Sequence, residues 1–227
     1  QISEDIREAI EEHELDSNQE DKLKNLFSRE YPILTSEKRL RAIAKDVVEH
    51  FNSRGYKGKA MFVAIDKVTA VRMYDYISEA WETYLKEQKK IIDKISDEQE
   101  KLNKQRQWEW SNQTELGVVV SGEQNEIDKF EAWGLDIEPH RLKMNTSDLE
   151  KDFKDEDHPF RFAIVCAMWI TGFDVKSLST MYIDKPLKSH TLMQTIARAN
   201  RVHKEKNNGL IVDYIETYKA LLEALAV

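Results

Sequence analysis

The chain has 227 residues, of which 41% are apolar and 33% charged, and its formal net charge is −8. This length suits one large domain, or one domain with an appended helical segment, and the apolar fraction is sufficient for a packed core. The negative charge excludes a uniform positive field, so any contact with nucleic acid must be local. A single cysteine, Cys166, excludes an internal disulfide framework. No apolar run is long enough to span a membrane, and we expect a cytoplasmic protein without a membrane partner.

The first part of the chain predicts a helical lead-in over residues 1–54. Its first residues show no signal-peptide pattern, and we expect the chain to be a piece of a longer protein. Tyr31-Pro32 is predicted to separate two helical stretches, and Ser36-Glu37 is a suitable start for the second. Apolar residues recur there at helical spacing, at Leu40, Ile43, Ala44, Val47, Val48 and Phe51. We place the main domain at residues 55–227.

Five short apolar runs in the main domain predict strands, and helical stretches separate them. The runs are nearly continuous rather than alternating, which is typical of strands buried on both faces of a parallel sheet. Parallel strands need crossovers, which the helical stretches supply. We therefore predict an α/β fold with helices on both faces of the sheet. The five runs are residues 59–65, 116–121, 160–166, 178–183 and 209–213.

Residues 82–113 are strongly charged, and their sparse apolar positions are spaced as in one helix or a helical pair. The favoured interpretation is a solvated helical insertion in a crossover. An arm that faces DNA or a protein partner is the alternative.

A strand and a turn between Ile164 and Asp174 form the first candidate functional element. Ligands of open α/β sheets bind where the carboxyl ends of the strands meet loops. Gly172 permits close backbone approach or an unusual dihedral angle, and Asp174 could accept hydrogen bonds from a ribose, a water or an arginine. Taken alone, this segment is better explained as an ordinary strand-to-helix turn with a capping aspartate.

A helix that opens at Ser189-His190 forms the second candidate element. Its polar residues are spaced by three, four and three, so they lie on one stripe: Thr191, Gln194, Arg198 and Arg201. The opposite face, which would pack on the sheet, has Leu192, Ile196, Ala199 and Val202. Two arginines and a glutamine suit an external anion with several oxygens, such as a nucleoside triphosphate. The alternative is a basic face that pairs with acidic residues elsewhere in the chain.

These residues carry a resemblance to superfamily 2 helicases. The segment Gln194–Arg201 resembles the last helicase motif, in which arginines follow a glutamine at plus four and plus seven. Ile164–Asp174 resembles the preceding motif, and Ala60–Ile65 with Asp66-Lys67 resembles the motif that opens the second RecA-like lobe. The sequence from Trp169 to Val202 is most similar to the motor (R) subunit of type I restriction enzymes. This similarity runs from about residue 35 to 220. Ala197 and Asn200 depart from the common pattern, which has glycines there.

The resemblance implies a RecA-like parallel sheet and a role for each matching residue. Arg201 would be the arginine finger on the terminal phosphate, Arg198 would contact phosphate or the partner lobe, and Gln194 would position water or phosphate. Gly172 and Asp174 would couple the nucleotide to the motor cleft. Residues just after the strands would hold the DNA backbone through amides and helix N-termini: Asp66, Lys67, Ser121, Gly122, Cys166 and Ala167.

The resemblance also implies ATP and Mg²⁺ as cofactors, held mainly by a first motor lobe. This sequence has no Gly-x-x-x-x-Gly-Lys-[Ser/Thr] phosphate loop and no metal-ligand spacing, so we expect the chain alone to hydrolyse no ATP. The implied partners are double-stranded DNA, the first lobe and nuclease domain of the parent chain, and modification and specificity subunits. Two alternatives stay open: a non-enzymatic domain whose arginines dock an acidic protein, and a lobe of another superfamily 2 helicase.

Overall fold

The computed structural model describes residues 31–55, 57–170, 172–187, 193–195, 197, 199 and 209–215. The chain divides between Ile43 and Ala44 into two compact units. Its named elements are, in chain order, α1 (Glu37–Ser53), β1 (Lys59–Ala64), α2 (Lys67–Ile92), α3 (Glu98–Asn112), β2 (Glu115–Val119), α4 (Glu126–Glu131), α5 (Glu138–Thr146), α6 (Leu149–Lys154), β3 (Phe160–Val165), β4 (Leu178–Asp184) and β5 (Leu210–Asp213).

The five strands form one sheet in the order β2-β3-β1-β4-β5, and every pair is parallel. All five predicted strands are present, and each end lies within two residues of its predicted position. Every residue of β1 and β4 is buried, because helices cover both faces of the sheet centre. The predicted α/β, RecA-like parallel sheet is therefore confirmed.

Helix α1 begins at Glu37, as the Ser36-Glu37 pattern predicts. Residues 31–34 are also helical, and a turn at Thr35 separates them from α1. The chain before Tyr31 lies outside the described residues, so the predicted break at Tyr31-Pro32 stays a prediction. All six apolar positions predicted to recur on this helix are buried. Residues 1–30 of the predicted lead-in lie outside the described part of the chain.

The crossover from β1 to β2 consists of the two long helices α2 and α3. The charged stretch comprises the last turns of α2, a turn at residues 93–97 and α3. The indole of Trp81 donates to the Ser111 carbonyl at 3.1 Å, and that of Trp108 donates to the Leu85 carbonyl at 3.0 Å. Ser111 is the one buried residue of α3; Gln107, Trp108 and Trp110 are half-buried, and most of the other residues are exposed. Among the described residues, no helix is long and apolar enough to cross a membrane.

The connection from β2 to β3, for which a helical crossover was predicted, contains three short helices whose number and bounds the sequence pattern did not indicate. Helices α4 and α6 have only six residues each, and α5 buries none of its nine. Such segments are too short, or too exposed, to show an apolar period. They nevertheless position the loop after β2, because α5 packs against that strand.

Candidate functional site

The carboxyl ends of adjacent parallel strands lie at one edge of the sheet. Strands β2, β3 and β1 are neighbours, so the segments that follow them lie side by side along this edge. The six residues predicted to contact nucleic acid belong to these three segments: Asp66 and Lys67, Ser121 and Gly122, and Cys166 and Ala167. The fold thus brings the three segments together, although their side chains differ in what they can reach.

Asp66 is the N-cap of α2, and its side chain is committed to that role. The residue is 8% exposed, and one carboxylate oxygen accepts from the Thr69 amide at 2.6 Å. This bond satisfies one of the amides that a helix start leaves unpaired. Any contact of this residue with an anionic backbone would therefore use its main chain and not its carboxylate.

Lys67, the first residue of α2, forms an ion pair with a carboxylate from the loop after β2. Its Nζ lies 3.4 Å from Oε2 of Glu123, while Nζ of Lys129 on α4 lies 3.1 Å from Oε1 of the same carboxylate. The side chains of Lys67 and Glu123 are 23% and 21% exposed, so solvent screens this pair less than one on an open surface. The cluster joins the ends of β1 and β2.

The loop after β2 is fixed by Arg141 of α5. The guanidinium makes a bidentate pair with Glu126, with bonds of 2.6 and 2.7 Å. It also donates to the carbonyls of Val120 and Ser121, at 3.2 and 3.3 Å. Because the guanidinium occupies these carbonyls, the loop has a defined path at Ser121-Gly122, both of which are exposed.

Cys166 and Ala167 follow β3, the strand between β2 and β1. Cys166 is 4% exposed; its thiol lies 3.8 Å from the Ile65 carbonyl and 3.8 Å from Nζ of Lys185. Burial excludes the thiol from a DNA backbone contact in this conformation, whereas Ala167 is exposed. The cysteine packs between the ends of β3, β1 and β4.

The Gly172–Asp174 turn is anchored by aromatic packing. Phe173 is 6% exposed and stacks on Trp169, with ring centroids 4.2 Å apart and an interplanar angle of 9°. Gly172 has φ of +73°, a left-handed conformation that residues other than glycine rarely adopt. Asp174 is exposed at the end of the turn. Phe153 packs behind the stacked pair.

The predicted arginine helix is described in part, at residues 193–195, 197 and 199, all of them helical. Thr195 and Ala199 are buried, and Ala199 belongs to the same core cluster as Phe173 and Val175. Packing of Ala199 agrees with the predicted sheet-facing side of this helix. Gln194 is half-buried, while Arg198 and Arg201 lie outside the described residues.

Sequence reasoning missed four charged residues that shape this edge: Glu123, Glu126, Lys129 and Arg141. Each finds its partner through tertiary contact, between six and 56 positions away in sequence. No spacing rule indicates such pairs. Within the described ranges, no group of three His, Cys, Asp or Glu residues could hold a metal ion.

Comparison with known proteins gives one concordant family. Residues 56–216 match the family described as type I restriction enzyme subunit R domain 3. The chain is 35% identical, over 93% of its length, to a protein of Methanocaldococcus jannaschii. That protein is named as a candidate MjaIXP endonuclease subunit of a type I restriction enzyme. It is 33% identical, over 85% of its length, to the type I restriction enzyme HindI endonuclease subunit of Haemophilus influenzae. The aligned chain spans 17% and 16% of these two relatives.

Proposed function

Because the chain belongs to the family of type I restriction enzyme R-subunit domain 3, we propose that it is the second RecA-like motor lobe of a DNA translocase subunit. One observation carries this proposal: three segments that follow adjacent parallel strands line one edge of the sheet. Loops at the carboxyl ends of such strands are the usual ligand sites of open α/β folds.

The proposed role of this edge is to hold the phosphate backbone of duplex DNA. Backbone amides at Ser121-Gly122 and Ala167, with the start of α2 at Asp66-Lys67, would provide the donors. Contacts of this kind fix position on DNA without reading sequence, which suits a motor that must move over any sequence. Buried Cys166 would support the loop rather than contact DNA.

The proposed nucleotide site uses the turn at Gly172–Asp174 and the helix that carries Gln194. In this proposal the Asp174 carboxylate would accept a hydrogen bond from a ribose hydroxyl, and the Gln194 amide would donate to a phosphate oxygen. Arg198 and Arg201 would complete the nucleotide site. Arg201 would neutralise the charge that develops during phosphoryl transfer. Bound ATP with Mg²⁺ would supply the energy of phosphate hydrolysis. We assign the phosphate loop and the Mg²⁺ ligands to a first lobe of the parent subunit.

The parent protein would be part of an ATP-dependent type I site-specific deoxyribonuclease. Its relatives are named as endonuclease subunits, so a nuclease domain and the first motor lobe are the proposed partners within the same subunit. Modification and specificity subunits are the proposed partners in the complex. Double-stranded DNA is the proposed substrate.

The test is DNA-stimulated ATP hydrolysis by the full-length protein with Arg201→Ala. We expect a loss of about 10³-fold or more in turnover, because removal of an arginine finger costs that much in other phosphoryl-transfer enzymes. Arg106→Ala, at an exposed position on α3, is the matched control and should retain wild-type turnover. Equal turnover of wild type and the Arg201→Ala variant would refute the proposed motor role and favour an interaction domain.

A further inference from the structure

Glu123 lies between two lysines at the carboxyl edge of the sheet. Lys129 Nζ is 3.1 Å from one carboxylate oxygen, and Lys67 Nζ is 3.4 Å from the other. The three side chains are between 21% and 33% exposed, so the cluster is accessible but partly shielded from solvent. The two lysines therefore share one carboxylate.

The position of this cluster links it to the proposed DNA contacts. Lys67 begins α2 directly after β1, Glu123 follows Ser121-Gly122 in the loop after β2, and Lys129 lies on α4. Two of the three segments proposed to hold the DNA backbone thus meet at one carboxylate.

The chemistry of the cluster is that of an oxyanion held by two ammonium groups. A carboxylate with two lysine donors has the same arrangement as a phosphate oxygen pair held by the same donors. Burial works to raise the pKa of Glu123, but the hydrogen bonds and charges of Lys129 and Lys67 outweigh burial and lower that pKa. The carboxylate is therefore ionised, and it competes with other anions throughout the neutral pH range.

We propose that Lys67 and Lys129 form a two-lysine site for a DNA phosphate, and that Glu123 occupies this site until DNA displaces it. This inference rests on the proposed function. It assigns Lys129 as a further DNA contact and Glu123 as an internal competitor that weakens backbone binding. Such a competitor lowers the cost of releasing a phosphate, since the lysines exchange one anionic partner for another.

The first test measures the affinity of the full-length protein for a non-specific DNA duplex, by fluorescence anisotropy over a range of salt concentrations. Glu123→Gln should bind DNA about tenfold tighter at low salt, since one competing charge is gone. Glu123→Asp keeps the charge and should bind within about twofold of wild type, so it is the matched variant. Equal affinity of the Gln and Asp variants would overturn the proposal.

The control for a general charge effect is Glu150→Gln on α6. It removes an exposed carboxylate that pairs with Lys154 one helical turn along α6, outside the three segments proposed to hold DNA. This variant should bind DNA as wild type does. A gain equal to that of Glu123→Gln would mean that net charge alone is responsible, and would overturn the competitor role.

The second test leaves Glu123 intact and so does not depend on how the loop tolerates substitution. Replacing both Lys67 and Lys129 by alanine should reduce the slope of log affinity against log salt by about 0.9, the contribution of one lost phosphate contact. Lys67→Ala alone should give about half of that change. If Lys67→Ala alone gives the full change in this slope and Lys129→Ala adds nothing, the two-lysine site is overturned. The proposed DNA contact at this edge of the sheet is then unaffected.

The outcomes separate the inference from the proposed function. If neither lysine substitution changes DNA affinity or its salt dependence, the proposed DNA contact at Lys67 fails, and the inference fails with it. If the lysine substitutions weaken binding while Glu123→Gln does not strengthen it, only the competitor role is overturned. If Glu123→Gln strengthens binding in the wild-type background but not in the Lys67→Ala, Lys129→Ala background, the inference is supported.

Discussion

At the scale of single residues, the site combines side chains that sequence predicted with side chains that only the fold reveals. For Asp66 and Lys67, which follow a strand, the family resemblance implied contacts with DNA. In the structure, the Asp66 carboxylate caps the start of α2, and the Lys67 ammonium forms an ion pair with Glu123. The pairing of Lys67 with Glu123 could not be predicted, because the two residues lie 56 positions apart and their pairing depends on the order of strands in the sheet.

Gly172 provides a prediction about backbone strain in the turn beside the proposed nucleotide site. Its φ is +73° and an added Cβ would meet no atom within 4 Å, so Gly172→Ala introduces strain without a clash. We expect it to lower the free energy of unfolding by about 1–2 kcal/mol. Urea unfolding of the isolated chain measures this value.

Gly122→Ala is the matched control for Gly172→Ala. No positive φ is found at Gly122, and its added Cβ would lie 3.8 Å from the Arg141 guanidinium, an ordinary contact distance. Its effect should stay within about 0.5 kcal/mol. Equal destabilisation by the two substitutions would contradict the assignment of strain to the Gly172 turn.

His50 predicts a pH dependence of stability. Burial and the nearby Arg54 guanidinium hold the pKa of His50 below its usual value, against a smaller raising effect of Asp46. The neutral ring lies 2.7 Å from the Tyr182 hydroxyl. Since the unfolded ring has a pKa of about 6.5 and binds protons more readily, stability is full above that pH and falls as the pH drops below it.

We therefore expect the free energy of unfolding to fall less in His50→Gln than in wild type when the pH is lowered from 7.5 to about 5.5. Urea unfolding at the two pH values measures the difference. His140, whose pKa is also lowered by burial, contributes to both proteins alike and cancels in the comparison. A larger loss in His50→Gln would show that His50 gains a proton, and not loses one, on folding.

At the scale of elements, the strands were predictable and the short helices were not. Strands β1, β3 and β4 are buried runs whose composition alone distinguishes them from amphipathic helices, so their ends lie close to the predicted ones. Helices α4, α5 and α6 are short and largely exposed, and tertiary contacts fix them. The pairing of Arg141 on α5 with Glu126 on α4 is one such contact.

That pair gives a prediction at the element scale, because it ties two helices to the loop after β2. The side chains are 22% and 12% exposed, so removing Arg141 leaves the Glu126 carboxylate partly buried without this partner. Arg141→Met should lower the free energy of unfolding by about 3 kcal/mol. Adding Glu126→Met in the same chain should restore part of that loss, because it removes the unpaired charge. Additive losses in the double variant would show that the two residues do not act as a pair.

At the scale of the whole molecule, the proposed site is one half of a cleft. The Gly172–Asp174 turn offers a carboxylate and an aromatic anchor, and the aligned chain spans 17% and 16% of its two relatives. A site shared between two lobes requires both for catalysis. We therefore expect the purified chain to bind ATP weakly and to hydrolyse none. A phosphate-release assay with and without duplex DNA measures this, and turnover above background would contradict the division of the site between lobes.

The family and the fold could be predicted from sequence because the matching motifs include buried strands, whose apolar runs are visible in the sequence. The direction of Arg198 and Arg201, on which the catalytic role depends, lies outside the described residues. A measurement on the full-length protein must therefore test it.

The most direct measurement compares the binding of a transition-state analogue and a ground-state ligand to wild type and Arg201→Ala. An arginine finger acts on charge that exists only during phosphoryl transfer, so it should tighten ADP–aluminium fluoride binding but not ADP binding. In the presence of DNA, we predict that Arg201→Ala weakens ADP–aluminium fluoride binding by about 100-fold or more and leaves ADP affinity within about threefold. Arg106→Ala should change neither affinity. Equal effects of Arg201→Ala on both ligands, or no effect on either, would contradict the assignment of this chain as the finger-bearing lobe of a motor.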